Sequence, residues 1–199
     1  LRDSEGIPRD TENSFLDIII SETDRMTHIV QDLLTLSRMD SHAMTLKLGS
    51  LDLCELAQST LRRLEPMAEQ RGQQLTADLP ESLPLTADGA KLEQVMYNLV
   101  ENAVKYTPEG GHIHVAVCRT GKQAVFAVTD DGPGIPDQSK AKLFDMFYTA
   151  DNTRGDSRRG LGLGLSLCKS IISAHGGDIG VKDNHPKEPY FILRSRQRR

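Results

Sequence analysis

No apolar run in this chain approaches the ~20 residues that span a bilayer. The longest, such as LDIII at positions 16–20, hold only a few. No signal peptide is visible at the start. Positive charge is not in excess either. The net charge of -4 argues against a general nucleic-acid binder, which needs a basic face. The C-terminal RSRQRR is a local basic tail that reads as solvated, with a nucleic-acid or lipid role as the minor alternative. Cysteine is scarce: Cys54, Cys118 and Cys168 stand far apart and follow no metal or redox spacing. Ordinary buried thiols of a reduced cytosolic protein are expected.

What is present fits a soluble globular chain, with 38% apolar and 26% charged residues. The 199 residues allow one ordinary domain plus a smaller element, with a real core. Residues 1–13 read as a polar loop, with Asp10 or Asn13 able to cap the helix that follows. From Ser14 to about Asp40, Phe15, Ile19, Met26, Ile29, Leu33 and Leu36 step by fours and threes, broken only at Glu22. That is the seam of a helical bundle. Leu16, Ile20, Val30 and Leu34 form a second stripe beside it. Such a helix needs neighbours, yet no second long helix pairs with it in this chain; the expected partner lies upstream of Leu1 or in another subunit.

The pattern changes near residue 45. Asp52 with Glu55 resembles a capping box, opening a helix through Leu53, Leu56, Ala57, Leu61 and Leu64. Pro66 should kink or shift that helix, and the RGQ at 71–73 should end it. QLTADL reads as a short strand. A brief strand, Asp88 as a cap, a long helix and a Pro/Gly stop follow. HIHVAVCRTGKQAVFAVTDDG is an alternating hairpin turning at TGK. Gly132–Arg159 is loop-rich. A helix to about His175, a GG stop and a final strand or hairpin complete the chain. The grouping predicts an α+β fold, with helices on one face of a mixed sheet. No internal repeat is visible.

Three short features carry chemistry. Asn98 and Asn102, four apart, share a helix face, with Lys105 and Tyr106 in the next turn. Two neutral oxygen ligands and a cation suit a hydrated Mg²⁺ and a phosphate chain, although asparagines on an exposed helix face are common. In VTDDGPGI, a carboxylate at a strand end, Asp130, could accept a hydrogen bond from an exocyclic amine such as adenine's. Gly132 and Gly134 would let the backbone come close, or simply make a turn. In RGLGLGLSLCKSI, Gly160, Gly162 and Gly164 run into a helix start, where free N–H groups and the helix dipole favour phosphate. The leucines between the glycines would point into the core. Neither the GxxxxGK[ST] nor the GxGxxG spacing is present.

Taken in order, these features resemble a known family, the GHKL superfamily of ATP-binding folds, and within it the bacterial class I sensor histidine kinases. NLVENAVKYTPEGG is similar to their N box, DDGPGI to the first glycine box, LFDMF to the F box and GLGLGL to the second glycine box. RMTHIVQDLLTLSRMD resembles the second helix of their dimerisation and phosphotransfer domain. The resemblance implies a two-layer α/β sandwich of the Bergerat kind, preceded by a long bundle-type helix. It implies Asp130 on the adenine amine, Asn102 as Mg²⁺ ligand with Asn98 close by, Lys105 on phosphates and Tyr106 on the nucleoside. Ile135, Leu163 and Leu165 belong to the same implied ATP site with the glycines. The stretch between the glycine boxes would be a mobile lid anchored by Phe144 and Phe147. Arg154, Arg158 or Arg159 could reach phosphate from it, while plain core packing for the two phenylalanines is compatible with that role. Gyrase-like relatives carry a Glu where Asn98 stands, as a general base for water. An amide cannot take a proton, so Asn98 favours phosphoryl transfer to a protein over ATP hydrolysis.

The family's phosphoacceptor motif, a His followed by an acid and then a Thr-Pro, is absent. His28 lies on the bundle-type helix without a following acid or Pro. His112 and His114 alternate outward on a strand, and His175 is placed where a cation complements a helix end. Residues 1–45 are therefore expected to be a partial dimerisation region lacking its first helix and acceptor His, and 46–199 the catalytic ATP-binding domain. The C-terminal KEPYFILRS also lacks the family's Gly-Thr or Gly-Ser pair. The expected partners are ATP, a second copy in the full-length protein and a response-regulator receiver domain. No nucleic acid is expected, and a membrane only through upstream segments absent here. The rivals are an anti-sigma-type serine kinase and a degenerate module that only docks or dimerises.

Overall fold

The computed structural model describes residues 45–149, 162–182 and 188–194, with Thr11, Phe15, Leu16, Ile19, Thr23, Met26 and Val30. Those seven single residues are helical, Thr11 among them although it precedes the expected start at Ser14. Thr23 Oγ1 donates to the Ile19 carbonyl at 2.7 Å, a one-turn bond. Phe15, Leu16, Ile19, Met26 and Val30 are all at least half exposed. The remaining positions of the two stripes, and the caps expected at Asp10 and Asn13, lie outside the described residues.

Strand β1 (Gly49–Asp52) leads into helix α1 (Leu53–Gln70). Asp52 caps α1, its Oδ1 accepting from the N–H of Cys54 at 2.7 Å and of Glu55 at 3.4 Å. That satisfies two donors that a helix start leaves free. Helix α1 runs unbroken through Pro66, although proline removes one ladder bond. It ends at Arg71 with Gly72 at φ 62°, a left-handed turn that glycine makes without strain. Strands β2 (Gln74–Asp78) and β3 (Pro84–Ala87) follow, then helix α2 (Gly89–Tyr106), strands β4 (His112–Thr120) and β5 (Gln123–Asp130), and the single turn α3 (Asp137–Lys140). Helix α4 (Gly164–Ala174) and strands β6 (Asp178–Lys182) and β7 (Glu188–Arg194) close the order.

The main sheet runs β2-β4-β5-β7-β6, with β2 and β4 parallel and the other neighbours antiparallel. It is a mixed sheet, as expected. Strand β1 pairs with β3 in a separate two-stranded ribbon. Sequence reading missed β1, because four residues are too short to show alternation. Ile113, Val115 and Val117 of β4 and Ala124, Phe126 and Val128 of β5 alternate inward. They meet Leu92, Val95, Met96, Leu99 and Val100 of α2, with Leu167, Ile171 and Ile172 of α4. Each large aliphatic side chain fully buried here contributes about 1.5–3 kcal/mol. Cys54 and Cys168 are buried in this core, but Cys118 is exposed. The strand period turns Cys118 outward beside inward-facing Val117, so the expectation of three buried thiols fails there.

Candidate nucleotide site

Helix α2 sets one wall. Asp88 caps it, its Oδ1 accepting from Lys91 N at 3.2 Å. With Leu92, Val95 and Leu99 turned to the sheet, Asn98 and Asn102 fall together on the flank, both half-buried. Asn98 Nδ2 donates to the Gly164 carbonyl at 3.5 Å and faces Cys168 Sγ at 3.8 Å. The asparagine helix and the second glycine box, 66 residues apart, therefore touch. Lys105 Nζ lies 5.5 Å from the ring centre of Tyr106, which is half exposed.

The end of β5 sets the second wall. Asp130 Oδ1 accepts the Gly132 N–H at 2.8 Å. Burial pushes the Asp130 carboxyl above the usual carboxylate range; the Gly132 N–H works against that rise and the neighbouring Asp131 charge adds to it. A Cβ at Gly132 would lie 2.5 Å from Asp130 Oδ1 and 3.4 Å from the Tyr106 carbonyl oxygen. A side chain at position 132 would thus displace the Asp130 carboxylate from its bond, while its contact with the end of α2 would be ordinary. Gly134 takes φ 71°, and Ile135 beside it is half-buried.

Asp131 was read only as the second acid of its motif. Its Oδ2 accepts from His112 N at 2.8 Å and meets His112 Nδ1 at 2.8 Å, pinning the exit of β5 to the entry of β4. The hydrogen bond from the His112 ring, with that from its backbone N–H, holds the Asp131 carboxyl below its ordinary range. The hairpin turning at TGK brings the two together, since its register sets Ile113 opposite Asp130 and so His112 beside Asp131.

The third wall joins the F box to the second glycine box. Phe144 is half-buried against the core, with Lys169 Nζ 5.9 Å from its ring centre. Phe147 is different: it is 62% exposed at φ 64°, so core packing does not describe it. Its N–H donates to the Gly162 carbonyl at 3.1 Å. Gly162 takes φ 69°, and a Cβ there would lie 2.6 Å from the Tyr148 carbonyl oxygen and 2.8 Å from the Phe147 carbonyl carbon. Leu163 is buried in the core and Leu165 packs against it, as expected of the interleaved leucines. Gly164 is less constrained, since a Cβ there would make only ordinary contact with Asn98, at 3.7 Å. Helix α4 starts without a side-chain cap at Leu163, and its first ladder bond is Leu167 N to the Leu163 carbonyl. The first-turn N–H groups of Gly164, Leu165 and Ser166 thus have no acceptor in the helix ladder, a geometry that suits phosphate. Arg154, Arg158, Arg159 and Gly160 lie outside the described residues.

His175 does not act as a cation on the helix end. Its Nε2 accepts from Asp88 N at 3.0 Å and its Nδ1 lies 2.8 Å from the Ile171 carbonyl. That pairing needs the neutral ring, protonated on Nδ1. It staples the N-terminal end of α2 to the C-terminal end of α4, while the middle of α2, at Asn98, meets the start of α4 at Gly164. His112 is exposed and His114 partly so, as expected for the outer face of β4.

Among the described residues no cluster of three or more His, Cys, Asp or Glu could hold a metal alone. Amide oxygens at Asn98 and Asn102 remain, a donor set suited to Mg²⁺ that also takes water and phosphate oxygens. No helix among the described residues is long and apolar enough to cross a membrane.

A family model described as "Histidine kinase-, DNA gyrase B-, and HSP90-like ATPase" matches residues 87–198. The alginate biosynthesis sensor protein KinB of Pseudomonas aeruginosa is 36% identical over 97% of this chain, which spans 32% of that protein. Full-length ShkA, crystallised with AMPPNP, is 26% identical with a TM-score of 0.79, over 96% of this chain and 40% of its own. The histidine kinase ThkA, crystallised with the response regulator protein TrrA, is 26% identical with a TM-score of 0.73, over 98% of this chain and 53% of its own. The chain thus covers only about a third of the length of its KinB relative.

Proposed function

The chain belongs to the histidine kinase-, DNA gyrase B- and HSP90-like ATPase family, and from that membership we propose that it is the catalytic part of a two-component sensor histidine kinase. In this reading the domain from residue 46 onward binds ATP and presents the γ-phosphate to a histidine on a helix this chain does not contain. A response-regulator receiver domain then takes the phosphate on an Asp. Residues 1–45 contribute to dimerisation in the full-length protein, and a membrane anchor belongs to other segments.

Asp130 accepts the adenine amine, with Gly132, Gly134 and Ile135 shaping the base pocket. Lys105 reaches phosphate and Tyr106 lines the nucleoside. The uncapped start of α4, from Gly162 through Leu165, receives phosphate oxygens on backbone N–H groups. Asn102, with Asn98 close by, would hold Mg²⁺, which supplies neutralisation of phosphate charge when bound. The stretch between the glycine boxes, with Arg154 and Gly160, acts as a lid hinged at Phe144 and Phe147. Catalysis on this view is positioning plus charge stabilisation.

The observation that carries the reading is convergence. Asn98 bonds to Gly164, and Gly132 abuts the Tyr106 carbonyl, so both glycine boxes lie against the asparagine helix. The test is calorimetry of ATP binding with and without Mg²⁺, wild type against Asp130→Asn. Strong Mg²⁺-dependent binding by the wild type and weak binding by the variant are expected. Equal binding by the two proteins would sink the proposal.

A further inference from the structure

The last turn of α2 carries Lys105 and Tyr106, yet the group that holds this turn lies 31 residues before Val104 in the chain. Gln73, in the short connection between α1 and β2, is buried. Its Nε2 donates to three carbonyls at the end of α2: Val104 at 3.0 Å, Thr107 at 2.8 Å and Pro108 at 3.3 Å. Arg71 Nη2 adds a fourth bond, to the Thr107 carbonyl at 3.2 Å. Three surrounding carbonyls assign the NH₂ end of the Gln73 amide to this position, because an oxygen there would be repelled. Val104 is one of the carbonyls that a helix end leaves without a ladder partner, Thr107 is the cap residue, and the Pro108 carbonyl also accepts from Gly111 N at 3.1 Å.

The arrangement is poor value as stability alone. Gln73 Oε1, Thr107 Oγ1 and Arg71 Nε are buried without a hydrogen-bond partner among the described residues. Each orphaned atom is destabilising; an apolar side chain at position 73 would remove one of them, but it would also take the donor from the Val104 and Thr107 carbonyls. Departures of this kind concentrate where a site demands a fixed backbone. Here the fixed backbone is the turn whose Tyr106 carbonyl abuts Gly132, beside the Asp130 carboxylate.

We propose that Gln73 is a positioning residue for the nucleotide site, holding the end of α2 in register with the Asp130–Gly132 turn through its three carbonyl bonds. The proposal rests on the ATP-binding reading above. Gln73→Met keeps the volume and loses both donors; Gln73→Glu puts an acceptor against three acceptors. ATP titration well below the melting temperature should show Gln73→Met weakened about tenfold, the loss expected for one to two good hydrogen bonds, and Gln73→Glu at least as much. Melting temperature is expected to fall in Gln73→Met as well, because the carbonyls of Val104 and Thr107 lose this donor. The Gly132 amide resonance, read without nucleotide, should shift in Gln73→Met, although Gln73 does not touch Gly132. A Gln73→Met protein that binds ATP as the wild type does, or keeps the Gly132 resonance unmoved, overturns the proposal whatever its melting temperature. A wild-type chain that binds no ATP brings down the ATP-binding reading and this proposal with it, a result distinct from equal binding by wild type and variant.

Discussion

Phe147 donates its N–H to the carbonyl of Gly162 at 3.1 Å, and both residues take left-handed backbone, at φ 64° and 69°. One bond therefore ties the two ends of the segment from Tyr148 to Leu161. On the proposed function, this point is the hinge of the lid.

Gly162→Ala should break that hinge. Left-handed backbone costs an alanine about 1–2 kcal/mol. The new Cβ would also meet backbone atoms of Phe147 and Tyr148 under 3.0 Å away, which cannot swing aside. A drop in melting temperature is expected, with ATP affinity falling about tenfold for each 1.4 kcal/mol lost at the site. Calorimetry and thermal melts on the same sample check both; an unchanged affinity would remove Gly162 from the site.

Asp130→Asn should weaken ATP binding and stabilise the empty domain. Burial raises the Asp130 pKa in the folded state, so the folded chain holds that proton more tightly than the unfolded one. Its contribution to stability is then fully favourable below the unfolded pKa and is lost as pH rises through the raised folded pKa. The amide keeps an acceptor for Gly132 N–H and carries no charge. Melts from pH 4 to 8 should show the variant gaining on the wild type as pH rises. A variant that loses ground over that range would contradict the sign.

Asp52→Ala should cost stability without touching the site. Asp52 accepts from Cys54 and Glu55, from Leu83 N at 3.1 Å and from the Ser82 hydroxyl. Loss of such a cap costs about 1 kcal/mol, a fall of roughly 2–4 °C for a chain of this size. The Ser82 hydrogen bond, followed by weaker backbone ones, lowers the Asp52 pKa against the opposing effect of burial. Its stabilisation is present above the unfolded carboxylate pKa and lost as pH falls through the lowered folded value. The gap between wild type and variant should therefore close in acid while ATP affinity stays level at neutral pH.

Asn102→Ala should abolish most of the Mg²⁺ dependence of ATP binding. Affinity in Mg²⁺ is expected to fall about tenfold, toward the Mg²⁺-free value, as one oxygen ligand is lost. Titrations in Mg²⁺ and in chelator make the comparison. A variant that keeps the full Mg²⁺ effect would take Asn102 out of the metal role.

Helices α1, α2 and α4 and the β4–β5 hairpin were legible because each repeats one period over many residues and ends in its own punctuation. Asp88 at one end of α2 and Pro108 with Gly110 beyond the other are examples. Strand β1 was not, being four residues long and defined only by its pairing with β3. Cys118 and His175 differ from expectation for separate reasons: the strand period alone turns Cys118 outward, whereas what His175 faces depends on Asp88, distant in the chain.

The local chemistry was a property of the sequence itself. Residue types and short spacings determined the asparagine face of α2, the acid before Gly132 and the glycines before α4, since those relations survive in any fold that keeps the elements. Only the tertiary structure decided which of them meet. Asn98 with Gly164, Phe147 with Gly162 and Gln73 with the end of α2 are contacts across 15 to 66 residues of chain, by position in the sequence. Sheet order and helix packing bring such pairs together. Their burial then sets what each group can do, from the raised Asp130 carboxyl to the amide of Gln73.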